Sequence, residues 1–160
     1  MKLQIIAVGR LKSGPERMLC DRYLDRFQAL GRSIGVTGFR LTELAESSQR
    51  RAEDRMTEEA RAILAAVPEG GRLVALDERG KTLGSVDFAN AVKQWADEGA
   101  ASLTCVIGGP DGLDATVRAR AGLVLCFGAL TLPHQLVRVL LAEQLYRAGT
   151  ILTGHPYHRV

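Results

Sequence analysis

Residues 123–148, LVLCFGALTLPHQLVRVLLAEQLYRA, constrain the fold most, because they join a buried strand to a strong helix through one short loop. LVLCF is an unbroken apolar run of the kind a fully buried strand shows, and a Gly, a Pro and a His follow closely. From Gln135 the residues Leu136, Val139, Leu140, Leu141 and Leu145 recur at helical spacing, with Arg138, Glu143 and Arg147 between them. An amphipathic helix is therefore predicted to begin just after Pro133.

The rest of the chain repeats the pattern. Residues 3–8 read as a first strand, stopped by Gly9 and the polar stretch RLKSGP, and Pro15 is placed to open a helix with Leu19, Tyr23, Phe27 and Leu30 on one face. Residues 36–41 alternate weakly, as an edge strand does, and Ser47-Ser48 can cap a long helix with Met56, Ala60, Ile63, Leu64 and Val67 inward. RLVALD is a third strand ending at Asp77, and the loop ERGKTLG leads to Ser85, an N-cap for a helix with Phe88, Val92 and Trp95 inward and Gly99 as its stop. LTCVI is the fourth strand; GGPDG, a short Arg-containing helix and the fifth strand, LVLCF, follow. Such alternation calls for an α/β fold with a mostly parallel sheet and helices on both faces. No linker, repeat or low-complexity segment divides the chain, so residues 1–160 are expected to form one domain.

Charge and cysteine usage narrow the function classes. The formal net charge of +3 is a weak basic balance, yet it is unevenly placed. Beyond Ala101 five arginines (Arg118, Arg120, Arg138, Arg147, Arg159) and no lysine stand against Asp111, Asp114 and Glu143, so that half can face an anion or simply be solvated. Cys20, Cys105 and Cys126 each fall in an apolar segment and read as small buried hydrophobes rather than a disulfide framework or a zinc site. The apolar run of KLQIIAVGR is too short for a signal peptide and nothing approaches a membrane span, so the cytoplasm is the expected compartment.

Three strand ends are candidates for one site: Leu76-Asp77, Gly108-Gly109 and residues 128–133. In a parallel sheet they open on the same edge, where ligands of open α/β sheets bind. The loop from Ala129 to Pro133 is almost wholly apolar, so it is either a tight buried turn or the wall of a pocket for a flat heterocycle such as adenine. Adjacent glycines after a core strand let the backbone approach a ligand closely. There is no G-x-x-x-x-G-K-[ST] and no G-x-G-x-x-G after the first strand, which argues against a nucleoside-triphosphate or NAD enzyme, and no Ser or Cys stands in a nucleophile motif. The tail GHPYHRV gathers His155, Tyr157, His158 and Arg159 into a cluster able to stack on a base, bond a phosphate or move a proton. With His134 as the only other histidine, no metal site is expected.

IGGPDG at 107–112, LTLPHQLVRVLLAEQLYRA at 130–148 and HPYHR at 155–159, with the opening MKLQIIAVGR, resemble the ribosomal RNA large-subunit methyltransferase H family. That family belongs to the SPOUT, or α/β-knot, class of S-adenosylmethionine-dependent enzymes. Asp111 stands where Glu is frequent in the family, and Gly128 where a small polar residue is common. The resemblance implies a deep trefoil knot in the C-terminal half, a feature that general topology rules argue against. It implies a homodimer, in which one subunit supplies the cofactor pocket and the other the wall that holds the substrate. It implies methylation of N3 of a pseudouridine in 23S rRNA of the assembled ribosome, with neither DNA nor a membrane as partner. The cofactor residues carried over are Leu76, Gly108, Gly128, Ala129, Leu130, Thr131, Leu132 and Pro133. For catalysis, His158 is the candidate acceptor of the N3 proton, since imidazoles titrate near about 6.5. Arg159 or Arg138 is the candidate to stabilise the resulting anion, and Tyr157 to stack on or orient the base.

Two other functions fit the same features: a non-catalytic ribosome-binding factor using the fold as a dimeric RNA clamp, and a methyltransferase acting on transfer RNA. The apolar loop counts against the first and the lack of an appended RNA-binding module against the second. A modest net charge grips naked RNA weakly, which favours a composite ribosomal surface. No function is read for residues 48–67.

Overall fold

The computed structural model describes residues 1–159; Val160, the last residue of the expected domain, lies outside the described residues. The strands are β1 (Lys2–Val8), β2 (Gly38–Leu44), β3 (Arg72–Thr82), β4 (Ser102–Ile107) and β5 (Leu123–Cys126). The helices are α1 (Pro15–Gly31), α2 (Ala52–Ala66), α3 (Ser85–Asp97), α4 (Ala115–Arg120) and α5 (His134–Leu152), with one 3-10 turn at Arg32–Ile34. The strands form one sheet in the order β2-β1-β4-β3-β5 and every strand pairing is parallel.

Each strand's two-residue period divides the core. Leu3, Ile5, Ala7, Val74, Leu76, Leu103, Cys105 and Ile107 pack with Leu24 and Phe27 of α1, Phe88 and Val92 of α3, and Leu141 and Leu145 of α5. The intervening Ile6, Val8, Leu73, Ala75 and Val106 face Ala60 and Ile63 of α2 and Val117 of α4. Side chains that alternate between two covered faces explain why β4 is buried along its whole length, the polar Ser102 and Thr104 included. The three cysteines are free and buried, as their sequence context predicts. Burial, reinforced by Asp21, pushes the Cys20 thiol up to about 11, and burial alone pushes Cys105 up to about 12.

The structure departs from the local expectations at four places, one of them β2, expected at 36–41 and observed at Gly38–Leu44. Another is the start of α2, whose N-cap is Arg51 rather than Ser47 or Ser48. Ser47 is engaged elsewhere: its amide donates to Glu59 and its hydroxyl to Glu58, so the serine laces the preceding loop onto α2 instead of capping it. Ser85, expected as an N-cap, is the first residue of α3 and follows Gly84 at the cap, and its hydroxyl donates to Gln144 of α5 at 2.8 Å. Finally, β3 continues past Asp77 to Thr82. Its pairing with β5 shifts between Leu76 and Lys81, both of which oppose Leu125, so residues 77–80 bulge out of the ladder. Gly80 makes that return possible, since a Cβ there would stand 2.6 Å from the Val124 carbonyl.

Candidate active site

Register brings the expected strand ends together. Leu76 of β3 pairs with Ile107 of β4 on one side and Leu125 of β5 on the other, so the chain leaves three adjacent strands at one level of the sheet edge. The segments that follow enclose a cavity of about 570 Å³, within the range of small-molecule sites. Leu76, Ile107, Leu125, Leu130, Leu132 and Val137 supply apolar walls; residues 108–112 and 126–128 line it as well, and Asp77, Glu78, Arg79, Asp111, Thr131 and His134 add polar or charged groups.

The cavity keeps its shape through its glycines. A Cβ on Gly108 would stand 2.8 Å from the backbone of Gly112, and the Gly112 amide donates to the Gly109 carbonyl at 3.0 Å, closing a tight turn. Gly112 and Gly128 have φ of +87° and +134°, values that side-chain-bearing residues rarely adopt. Beside this turn the Asp77 carboxylate is buried and accepts from Arg118 of α4 at 3.4 Å, while Arg118 also donates to the Leu113 carbonyl. Asp114 caps α4 by accepting from the Thr116 amide at 2.8 Å, and bonds from the Thr116 hydroxyl and amide hold its carboxyl below the usual range.

Of the eight cofactor positions carried over, Leu76, Gly108, Gly128, Leu130, Thr131, Leu132 and Pro133 line the cavity. Ala129 lies in the same loop but is exposed and not part of the lining. Among the lining residues that sequence reasoning missed are Glu78 and Arg79 in the loop after Asp77, and Phe127, His134 and Val137. Their signal was position, since Glu78 and Arg79 directly follow Asp77, Phe127 directly follows the last core strand, and His134 and Val137 lie in the first turn of the helix after the apolar loop.

Arg138 is not where its catalytic role would need it. The side chain is 3% exposed and lies outside the cavity lining. Nη1 donates to Glu43 of β2 at 2.6 Å, and Nη2 donates to the Val8 and Gly9 carbonyls at 3.1 and 2.5 Å. Glu43 also accepts the Leu11 amide at 2.9 Å. Burial works to raise the Glu43 carboxyl, but the Leu11 and Arg138 hydrogen bonds outweigh it and hold the group below its ordinary range. Both ends of the ion pair are committed inside the fold, so Arg138 cannot meet an anion on a substrate from here; it ties α5 to the ends of β1 and β2.

The tail folds back on the far end of α5. The Tyr157 hydroxyl donates to Glu143 at 3.0 Å, its ring centroid is 4.7 Å from that of Tyr146, and the Arg147 guanidinium lies 4.9 Å from it. Arg147 donates twice to Glu143, at 2.9 and 2.5 Å, and stands 3.4 Å from Nδ1 of His158. Burial, then hydrogen bonds with Tyr23 and Glu143, push the Tyr157 hydroxyl well above the usual phenol range, while the Glu143 bond raises Arg147 against a burial penalty. Arg159 and His155 are exposed. None of the described tail residues lines the cavity of its own chain. Along α5, the span from His134 to Glu143 and Arg147 is about 14 to 20 Å at 1.5 Å per residue.

The family described as "Predicted SPOUT methyltransferase" matches residues 1–158. The ribosomal RNA large subunit methyltransferase H of Nitrobacter hamburgensis is 55% identical over 159 residues, covering 99% of each chain. The protein of the same name from Methylorubrum populi is 57% identical over 160 residues, covering 99% of this chain and 97% of the other. Among solved structures, the SpoU methyltransferase AviRb of Streptomyces viridochromogenes, in complex with the cofactor AdoMet, aligns at 15% identity with a TM-score of 0.39; the match covers 92% of this chain and 59% of that one. On the family match and the near full-length identity, the chain belongs to the SPOUT methyltransferase family, alongside the ribosomal RNA large subunit methyltransferase H proteins.

Proposed function

We propose that this chain binds S-adenosylmethionine in the strand-end cavity and methylates N3 of a pseudouridine in 23S rRNA of the assembled ribosome. The observation that carries the reading is the alignment of Leu76, Ile107 and Leu125, whose following loops enclose one cavity walled by backbone and aliphatic side chains. Such a wall suits the group: amides and carbonyls can bond an adenine edge, and Leu76, Leu130 and Leu132 can cover its faces. The apolar loop carries no lysine or arginine, and Arg79, the arginine in the cavity lining, stands 3.6 Å from Asp77 and 4.0 Å from Glu78, so acidic neighbours offset its charge toward a sulfonium. Bound there, S-adenosylmethionine would supply an electrophilic methyl on positive sulfur, with the sulfur as leaving group keeping the bonding pair; the chain's part is to present N3 and to take up the proton that N3 gives up.

The chain's contribution is placement and proton management. Holding nitrogen and methyl in near-attack geometry accounts for most of the acceleration in a displacement of this kind. His158 remains the candidate proton acceptor, with Arg159, exposed and without an ion pair among the described residues, the candidate cation for a developing anion and Tyr157 the aromatic partner of the base. Because arginine has donors only, the ring atom facing Arg147 is the acceptor of that contact, so Nδ1 carries the free pair in the neutral ring. A proton can reach Nδ1 only after the Arg147 contact opens.

The protein in this reading is a single-domain cytoplasmic homodimer with a deep trefoil knot in its C-terminal half. Its dimeric form is supported by the position of the tail away from its own cavity, and by three exposed leucines at the cavity end of the molecule: Leu130 at 83%, Leu136 at 44% and Leu140 at 36%. A partner that lays its tail over the cavity completes the site and buries that apolar surface.

The test is transfer of labelled methyl from S-adenosylmethionine to ribosomes lacking the modification, with naked rRNA and bulk transfer RNA in parallel, followed by nucleoside analysis. N3-methylpseudouridine from ribosomes alone is the expected product. Label in transfer RNA overturns the substrate, and cofactor binding without transfer to any RNA favours the non-catalytic factor.

A further inference from the structure

The glycine turn after β4 has few means of holding itself. Three of its five residues, Gly108, Gly109 and Gly112, carry no side chain, so the segment loses more conformational freedom on ordering than an ordinary turn. Asp111 is the turn's one polar handle, and it belongs to the cavity lining.

That handle is gripped from α2. Arg55 Nε donates to Asp111 Oδ2 at 2.6 Å and Nη2 to Oδ1 at 3.0 Å, a bidentate pair across 56 residues of sequence. The third nitrogen, Nη1, donates to the carbonyls of Gln49 and Arg50 at 3.0 and 2.8 Å, so the guanidinium is oriented by the loop before α2 as well as by its helix. One turn further along α2, the buried Glu59 carboxylate lies beneath the same segment: a Cβ on Gly109 would stand 3.2 Å from its Oε2. Glu59 also accepts the Ser47 amide at 3.0 Å, which locks the loop that orients Arg55. Two successive turns of α2 therefore meet the glycine turn, one through charge and one through contact.

We infer that Arg55 is a positioning residue for the cofactor, acting through Asp111 to hold the 108–112 turn in its binding shape. The inference rests on the cofactor reading of the cavity. It gives α2, for which no function is read from the sequence, a part in binding without touching the ligand. A pair whose side chains are 28% and 24% exposed is only partly screened by salt, so its effect should fall, but not vanish, at high ionic strength.

The experiment is calorimetric binding of S-adenosylmethionine to the full-length protein and to Arg55→Gln, Asp111→Asn and the double variant, with steady-state methylation of ribosomes. Each single change is expected to weaken binding about five- to tenfold, as loss of a bidentate charged pair implies. The double variant should be no weaker than either, because the two residues act as one unit. For Arg55→Gln the KM for S-adenosylmethionine rises while kcat at saturation stays within about twofold, Arg55→Lys recovers part of the affinity, and the backbone amides of residues 108–112 exchange faster in hydrogen exchange. A general loss of fold would instead lower kcat and the melting temperature together, and that result overturns the positioning role. Unchanged affinity in the single variants, or fully additive losses in the double, overturns it as well while leaving the cofactor reading intact. A wild-type protein that binds no S-adenosylmethionine removes both.

Discussion

Replacing Glu43 by Gln isolates the charge in the interior pair with Arg138, because it keeps the shape and one acceptor oxygen. In the native protein Glu43 Oε1 receives Arg138 Nη1 at 2.6 Å and the Leu11 amide at 2.9 Å, with Arg17 at 3.4 Å. The substitution leaves a guanidinium that is 3% exposed supported only by neutral groups, the Val8 and Gly9 carbonyls among them. Breaking a buried ion pair from one side costs about 3–5 kcal/mol. The two carbonyls, the retained amide oxygen and the 17% exposure of Glu43 reduce that, and about 2–3 kcal/mol is expected. For a chain of this length the melting temperature should fall by about 4–12 °C. The sign with pH follows from the depressed Glu43 carboxyl. Its stabilisation is fully present above the unfolded glutamate value of about 4.3 and is lost as the pH falls through the lower folded value. The wild type and Glu43→Gln should therefore differ most at neutral pH and converge in acid. Urea denaturation followed by circular dichroism at pH 7 and at a series of acidic values measures both effects. A loss under about 0.5 kcal/mol at pH 7, the scale of an ordinary surface change, or a gap that widens in acid, would refute the assignment of Arg138 as an interior tie.

Two further outcomes are expected at the site. In Gly108→Val the added side chain begins 2.8 Å from the Gly112 backbone and 3.1 Å from Leu113, so the turn must shift; calorimetry should show S-adenosylmethionine binding lost, and a normal affinity removes the strand-end cavity from the cofactor reading. In His158→Ala the single-turnover rate on ribosomes should fall about 10²- to 10⁴-fold, the usual span for a general base, with its pH dependence flattened; a rate unchanged across pH shows that the proton leaves by another route.

How far the sequence revealed the molecule follows from the range of each interaction. The alternation of apolar runs and helical stripes is a local signal, and it revealed all five strands and the five principal helices in order, with the end of β3 and the start of α2 the bounds it missed by most. The convergence of Leu76, Gly108 and the 128–133 loop was legible because parallel strands must end on one edge. Cap positions were less legible: Ser47 and Ser85 have the right chemistry for N-caps, but Glu58, Glu59 and Gln144, distant in sequence, draw them into other bonds. Arg138 was misplaced for a related reason. Its spacing set it on the polar side of an amphipathic stripe, while its charge is matched by Glu43, 95 residues away. Pairing across such separations leaves no periodic trace.

The same argument separates the two C-terminal motifs. The family resemblance gives both LTLPHQ and HPYHR a part in the reaction, yet α5 is the rod between them, and a helix fixes distance as firmly as it fixes direction. The first motif sits where α5 leaves the sheet edge; the second wraps back on Glu143, Tyr146 and Arg147, two to four turns away. No rotamer of His158 or Tyr157 spans that interval, and unwinding α5 would expose Leu141 and Leu145, which are fully buried between α5 and the sheet. If the tail takes part in transfer, it must reach a cavity other than the one its own chain encloses. That requirement, rather than the exposed leucines, is the stronger physical reason to expect a second copy at the site. It also makes mixed dimers informative: pairing a Gly108→Val subunit with a His158→Ala subunit should restore one intact site of two, whereas a site built within each chain would stay inactive.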